Sequence, residues 1–232
     1  MKTHYQKCSV NRSRNIWFSF TVPIVIFLII ILSKMFIIEI FMVKGYSMFP
    51  TLSDGESVLV AKCAYGFRKP RNVYEIPLVG LLMALVTPDS IIDKTIKESG
   101  MFQRIAPSTP HRGDIVAFNI PANIHYHAVK RVAAISGDSM PNLEIAGVIP
   151  PLSRLPTVPC AGDRIGWHTV DSVQRKAMDK SLYFKFDQKD SSFVALDNFI
   201  YVVGDNPNSS DDSRKWGPLP VNLIFGKCLN IF

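Results

Sequence analysis

The sequence predicts a mostly β protein: an N-terminal transmembrane helix followed by an extracytoplasmic β-rich core that carries a smaller inserted β subdomain. Three observations predict it. An uncharged run fills 16–33, four basic residues and no acid precede it, and the chain beyond residue 40 alternates short β-like runs with turn residues. The composition, 47% hydrophobic and 19% charged, excludes wholesale disorder, and the chain lacks the internal self-similarity of a repeat array.

The run Ile16–Ser33 is 18 residues long, roughly 27 Å of helix at about 1.5 Å per residue. With Lys34 snorkelling and MFII extending the apolar stretch, the anchor is predicted over 16–38. Pro23 is tolerated in such a helix. A cleaved leader is disfavoured, because the run exceeds the usual leader length and the bulky IEIFMVKG beyond it offers no small-x-small site. Lys2, Lys7, Arg12 and Arg14 precede the first acid, Glu39, so residues 1–15 form a basic cytoplasmic tail and the rest lies across the membrane. That tail also accounts for most of the +7 net charge. From Lys34 onward 22 basic residues face 19 acidic ones, too small an excess for a nucleic-acid-binding face. Cys8 falls in the tail, and Cys63, Cys160 and Cys228 fall where disulfides persist. One pair plus a free thiol, or three reduced thiols, are equally open, and no Cys/His spacing points to a metal.

Strands are predicted at 57–62, 114–120, 127–135, 181–186, 193–196, 199–205 and 222–232, punctuated by 16 prolines and 13 glycines. Helical periodicity is confined to part of 78–99. The core is assigned to 39–136 and 198–232, with an insertion at about 67–111, and 137–197 is assigned to the inserted subdomain. Within the first insertion, 76–86 (IPLVGLLMALV) is uncharged. It is too short to span a bilayer, which leaves packing in a core or lying in a membrane interface.

Three segments carry candidate chemistry. Ser47, in GYSMFPTL, lies just beyond the anchor on a segment stiffened by Pro50, which can present a hydroxyl rigidly. A nucleophilic serine needs a base, either a histidine (His111, His125, His127 and His168 lie beyond the anchor) or a neutral lysine. A GxSxG elbow is absent. Lys130 and Arg131 are adjacent in the strand HAVKRVAAI, so one of the two cations points inward or along an edge. A lysine base has to be buried among apolar atoms, since lowering its pKa from about 10.4 to about 7–8 costs roughly 3–5 kcal/mol of desolvation. The third segment, GDNPNSSDDSRKWG at 204–217, is rich in turn formers, and Asp212 with Arg214 can form an ion pair that pins the loop. It lacks the spacing and closing Glu of an EF-hand.

In this order the segments resemble the bacterial type I signal peptidases, membrane-anchored serine/lysine proteases. GYSMFPTLSDGESVLVAKCAYG (45–66) is similar to the family's nucleophile box, HRGDIVAF (111–118) to its Arg-Gly-Asp strand, VKRVAAISGD (129–138) to its lysine box and GDNPNSSDDSRKWGPLP (204–220) to its C-terminal box. The resemblance implies a catalytic β core with Ser47 as nucleophile, Lys130 as general base, Ser210 orienting the lysine amine, and Asp212 and Arg214 as a structural pair. It implies no metal or cofactor. The substrates it implies are signal-peptide-bearing preproteins with small side chains one and three residues before the cut, met at the inner membrane's lipid bilayer. Two departures stand out. Gly45 occupies the position where many members have a serine that helps bind the oxyanion, and Pro207–Asn208 replace the usual Arg-Asp.

Four rival readings remain. A repressor-type autoprotease shares similar boxes but has no place for the apolar run at 16–33. A histidine-based variant would need His127, three residues from the base position that Lys130 already fills. The insertions leave open a dedicated peptidase for a pilin or conjugation substrate, and a non-catalytic envelope scaffold would keep the boxes as structural relics.

Overall fold

The computed structural model of the chain describes residues 10–120, 123–139, 155, 157–170, 172–179 and 182–231. The tail 1–9 with Cys8, and the stretch 140–154, lie outside the described residues. The first element, α1 (Val10–Phe36), holds the apolar run. Its side chains are described from Phe18, and Phe18, Phe20, Ile24, Phe27 and Ile30 are all more than half exposed. Among the described residues no helix is long and apolar enough to cross a membrane.

α1 ends at Phe36, two residues short of the expected Ile38, which instead opens a strand. The Ile37 N–H closes the last helical turn on Ser33 O at 2.8 Å. Lys62 Nζ donates to Lys34 O at 3.0 Å, putting a cation where the helix dipole is negative.

The chain continues through β1 (Ile38–Met42), β2 (Ser57–Ala61) and β3 (Phe67–Arg68). Two helices, α2 (Pro77–Ala84) and α3 (Asp89–Glu98), follow before β4 (Arg104–Ile105). Next come β5 (Ile115–Ile120) and β6 (Asn123–Ile135), then β7 (Arg164–Gly166), α4 (Ser172–Asp179), β8 (Phe184–Asp187) and β9 (Ser192–Ala195). The last elements are β10 (Phe199–Val203), α5 (Ser213–Trp216), β11 (Leu219–Pro220) and β12 (Ile224–Ile231). The fold is mostly β. A seven-stranded antiparallel sheet runs β1-β2-β12-β5-β6-β10-β11, β7-β9-β8 form a three-stranded sheet, and β3 pairs β4. Each strand anticipated from turn-bounded apolar runs overlaps an observed one. Of the unanticipated strands, β3, β4, β7 and β11 have two or three residues each, too few to show a period, and β1 (Ile38–Met42) begins inside the stretch assigned to the anchor.

The sheet separates two apolar clusters, as strand alternation requires. Along β5, Val116 and Phe118 join a cluster with Val132, Phe199, Val202 and Leu219, while Ala117 joins Met48, Leu52, Val58 and Val60. The second cluster anchors the loop that carries Ser47. A third, of Ile165, Val170, Met178 and Phe193, lies under the three-stranded sheet. Phe184 of β8 and Phe199 of β10 stack at 4.8 Å and tie that sheet to the large one.

Two open questions of the sequence close here. Cys63, Cys160 and Cys228 are all free thiols. The run 76–86 is not core: α2 and the turn after it leave Leu81, Leu82, Leu85 and Val86 between 59% and 78% exposed.

Phe199, 1% exposed, joins two sheets, so Phe199→Ala is expected to cost about 3–5 kcal/mol through lost burial and an unfilled cavity. Urea unfolding followed by near-UV circular dichroism checks this, and an unshifted midpoint would place the cohesion of the two sheets elsewhere.

Candidate active site

The loop between β1 and β2 is fixed at both ends and in the middle. The Val43 N–H donates to Glu56 O at 2.8 Å, the Gly45 N–H to Asp54 Oδ1 at 2.6 Å, and the Ser53 N–H to Glu56 Oε2 at 2.7 Å. Met48 and Leu52 plug the apolar cluster below, at 1% and 0% exposure, so the backbone beside Ser47 has little room to shift. Ser47 itself is half-buried.

β6 delivers the partner. Lys130, opposite Val116 of β5, is 4% exposed, and its Nζ lies 2.6 Å from Ser47 Oγ and 3.1 Å from Val129 O. Burial lowers its pKa because an ammonium there loses its water, and the carboxylates of Asp212, Asp211 and Asp205 oppose that shift only in part. A neutral amine can accept the serine proton across the same contact.

The adjacent cation takes the opposite course. Arg131 makes a two-pronged pair with Asp205, Nε to Oδ1 at 2.8 Å and Nη2 to Oδ2 at 2.7 Å, and also reaches Thr51 Oγ1 at 3.3 Å and Gly113 O at 3.1 Å. One guanidinium therefore ties the serine loop, the lysine strand and the loop after β10 together. Asn206 adds two more ties: its backbone N–H donates to Ser47 O and its side-chain amide to Tyr46 O, each at 3.0 Å.

Asp212 is fully buried beneath this arrangement. Its carboxylate accepts Arg214 Nη2 at 2.6 Å and Nε at 2.8 Å, the Gly204 N–H at 2.8 Å, and the Ser210 hydroxyl in a short bond. Burial pushes this carboxyl up, yet the Arg214 pair and the other donors outweigh that and hold it at about 2. It also caps α5 by accepting the Arg214 N–H at 3.2 Å. The Asp212–Arg214 pair anticipated from the sequence is thus present. Ser210, 5% exposed, directs its proton to Asp212, and no hydrogen bond joins it to Lys130.

Gly45 has open space where a side chain would stand, but its φ of 85° is left-handed, so a serine hydroxyl there carries backbone strain. Among the described residues the Ser47 N–H has no acceptor. His127 is engaged elsewhere, 3.4 Å from Asn119 Nδ2 and against the rings of Phe41 and Phe225. Among the described residues no group of His, Cys, Asp and Glu could hold a metal ion.

Sequence reasoning passed over Gly204. A Cβ on it would sit 2.7 Å from Ser210 Cβ and collide with Ser210 Oγ and Ser47 O. Only a hydrogen fits between the two loops. A glycine directly after the apolar run FIYVV was the available signal. Asp205 and Asn206 were legible as turn formers, but not as the partners of Arg131 and Ser47.

A buried lysine amine within hydrogen-bond reach of a half-buried serine hydroxyl, on an antiparallel β core, is an arrangement in which a base can activate a nucleophile. The chain matches the model of the family described as signal peptidase, peptidase S26, over residues 14–232, and belongs to that family. It is similar to the signal peptidase I of Buchnera aphidicola, at 24% identity over 89% of this chain and 73% of that protein. The signal peptidase I of Pseudomonas fluorescens is 26% identical over 90% of this chain and 69% of its own length. A crystal structure of a signal peptidase I from Enterococcus faecalis aligns at 21% identity and a TM-score of 0.25, covering 52% of this chain and 97% of that one, a superposition too loose to bear on the fold. The protein is a serine endopeptidase that cleaves signal peptides.

Gly204→Ala is expected to lower kcat by at least tenfold while the purified chain keeps its circular dichroism, because the new methyl forces the Ser47 and Ser210 loops apart; full activity would show that the loops can separate freely. Asp212, depressed to about 2, contributes stability that is complete above its unfolded pKa of about 3.9 and is lost as pH falls from there towards 2. Asp212→Asn is therefore expected to flatten the acid limb of a melting-temperature profile in that window. An unchanged profile would remove Asp212 as its source.

Proposed function

We propose that Ser47 is the nucleophile and Lys130 the general base of this signal-peptide-cleaving endopeptidase. The observation that carries the reading is the 2.6 Å contact between Lys130 Nζ and Ser47 Oγ at a lysine only 4% exposed. Neutral Lys130 takes the Ser47 proton as Oγ attacks the scissile carbonyl, and the resulting ammonium protonates the departing amine. A water activated by the same lysine then hydrolyses the acyl-enzyme. The Ser47 N–H, free of other acceptors among the described residues, donates to the developing oxyanion, and Gly45 beside it contributes no hydroxyl.

Ser210, Asp212 and Arg214 act from behind the pair. Asp212, held ionised by Arg214, fixes the Ser210 hydroxyl, which orients the lysine amine through this framework and not by a direct bond to it. Residues 39–136 and 198–232 form the catalytic core, and 137–197 the inserted subdomain.

α1 is the bilayer anchor of this chain, with the tail 1–15 cytoplasmic and the catalytic core across the membrane. In support stand the 18 uncharged residues at 16–33, the apolar side chains turned outward from Phe18 on, and the four cations before them. The substrates are exported preproteins, cut after small-x-small sites.

Cleavage of a purified preprotein by the detergent-solubilised chain, with the new N-terminus sequenced, tests the pair. Ser47→Ala and Lys130→Ala are each expected to lose activity by at least a thousandfold without unfolding. Wild-type kcat is expected to rise with pH through an apparent pKa below the ordinary lysine value, since only the neutral amine accepts the proton. Residual activity in folded Lys130→Ala with the same pH dependence would sink the dyad. Resistance of the full chain to alkaline carbonate extraction tests the anchor, and release into the soluble fraction would overturn it.

A further inference from the structure

α2 is an apolar helix with no polar face. Of the positions in α2 and its following turn, Leu78, Leu81, Leu82, Leu85 and Val86 are 48% to 78% exposed. Among its positions with described side chains the buried one is Gly80, whose missing side chain lets the helix press on the backbone of Tyr74 in the turn below. The helix thus stands on a glycine and directs the leucines away from the protein. Water is a poor solvent for such a surface, at roughly 25 cal/mol per Å² of apolar area.

The path of the chain indicates what covers it. β2 runs antiparallel to β1 and returns to the end of α1, with Ala61 opposite Ile38 and the Lys62 N–H donating to Ile37 O at 2.8 Å. The insertion bearing α2 begins at Phe67, just beyond, and its base is clamped to the same end of the sheet. Arg68 Nη1 donates to Asn119 Oδ1 at 2.9 Å, and Arg104 donates to Ile224 O. Exposed apolar side chains mark the route between the two helices: Ile37, Ile38, and the paired Phe67 and Ile105 of β3 and β4. Of the cations along this route, Lys62 pairs with Glu39 at 3.0 Å, Arg71 pairs with Glu75 at 2.6 Å and Arg68 donates to Asn119, which leaves the exposed Lys69 at the rim of a surface that is otherwise apolar.

We infer that α2 and the turn after it lie in the interfacial layer of a bilayer, as a second, non-spanning contact beside α1. Eleven uncharged residues at 76–86 are too few to cross but enough to bury an apolar helix at that depth. Two contacts define a plane where one helix defines only a tether, so the catalytic loop is held at one height and tilt above the membrane. The inference rests on α1 being the anchor.

The full chain carrying Leu82→Trp, reconstituted in phosphatidylcholine–phosphatidylglycerol vesicles, tests it after subtraction of the parent's emission. The added tryptophan is expected to be blue-shifted, quenched severalfold by lipids brominated on the acyl chain, and shielded from aqueous acrylamide. A red emission quenched by acrylamide overturns the inference. So does a blue emission insensitive to bromine, which would mean a protein surface or a second copy covers α2. Carbonate extraction of the parent reports on α1 alone, so failure of the anchor reading is told apart from failure of this one. The double variant Leu81→Asp/Leu82→Asp is expected to cleave a short soluble peptide at the parent rate and a vesicle-embedded preprotein severalfold more slowly; equal rates on both would also count against it.

Discussion

A lysine ammonium removed from water is the constraint around which this fold is arranged. Lys130 reaches Ser47 only because β5, β6 and β10 form the interior of a seven-stranded sheet, which leaves the base of its side chain no path to solvent. The same burial that makes the charged form costly shifts the lysine towards its neutral amine. Had the chain buried both adjacent cations, the desolvation cost would have fallen twice. Arg131 is instead paired with Asp205 at the surface of the same strand, and an arginine that does not titrate is converted into a clamp.

Three carboxylates near the lysine show how such a site avoids cancelling its own effect. Asp205 is occupied by Arg131, Asp212 by Arg214, and Asp211 is exposed and lies near Lys215. Each raises the lysine pKa from its distance, but less than burial lowers it, and a guanidinium or water beside each carboxylate weakens that pull. Asp212 is the deepest of them. Removing Arg214 would leave a buried charge with only neutral donors, which is why the pair reads as part of the framework that supports the serine and lysine.

The close approach of two loops explains residues that carry no reactive group. Gly204 admits the Ser47 carbonyl and the Ser210 side chain to one place, and Asn206 fastens that place from the other side with two hydrogen bonds. The replacement of the usual Arg-Asp by Pro207–Asn208 therefore leaves the loop tied: its ion pairs run to Arg131 and Arg214, outside the replaced dipeptide. Distributing the ties over several backbone contacts also makes the loop tolerant of change at its tip.

The sequence by itself determined the strands with a clear apolar period and the apolar run at 16–33, and it singled out Ser47, Lys130 and the Asp212–Arg214 pair, which the structure brings into contact. All of these depend on local spacing, which chain chemistry writes directly into the order of residues. Only the tertiary structure decided which of Lys130 and Arg131 is buried, that Ser210 bonds Asp212 and not the lysine, that the three described cysteines stay apart, and that the apolar 76–86 segment faces outward. Each of those depends on which distant segments meet, as Gly204 meets Ser47. Pairing between residues 74 to 157 positions apart, such as Arg131 with Asp205 or Ser47 with Gly204, has no local period to read.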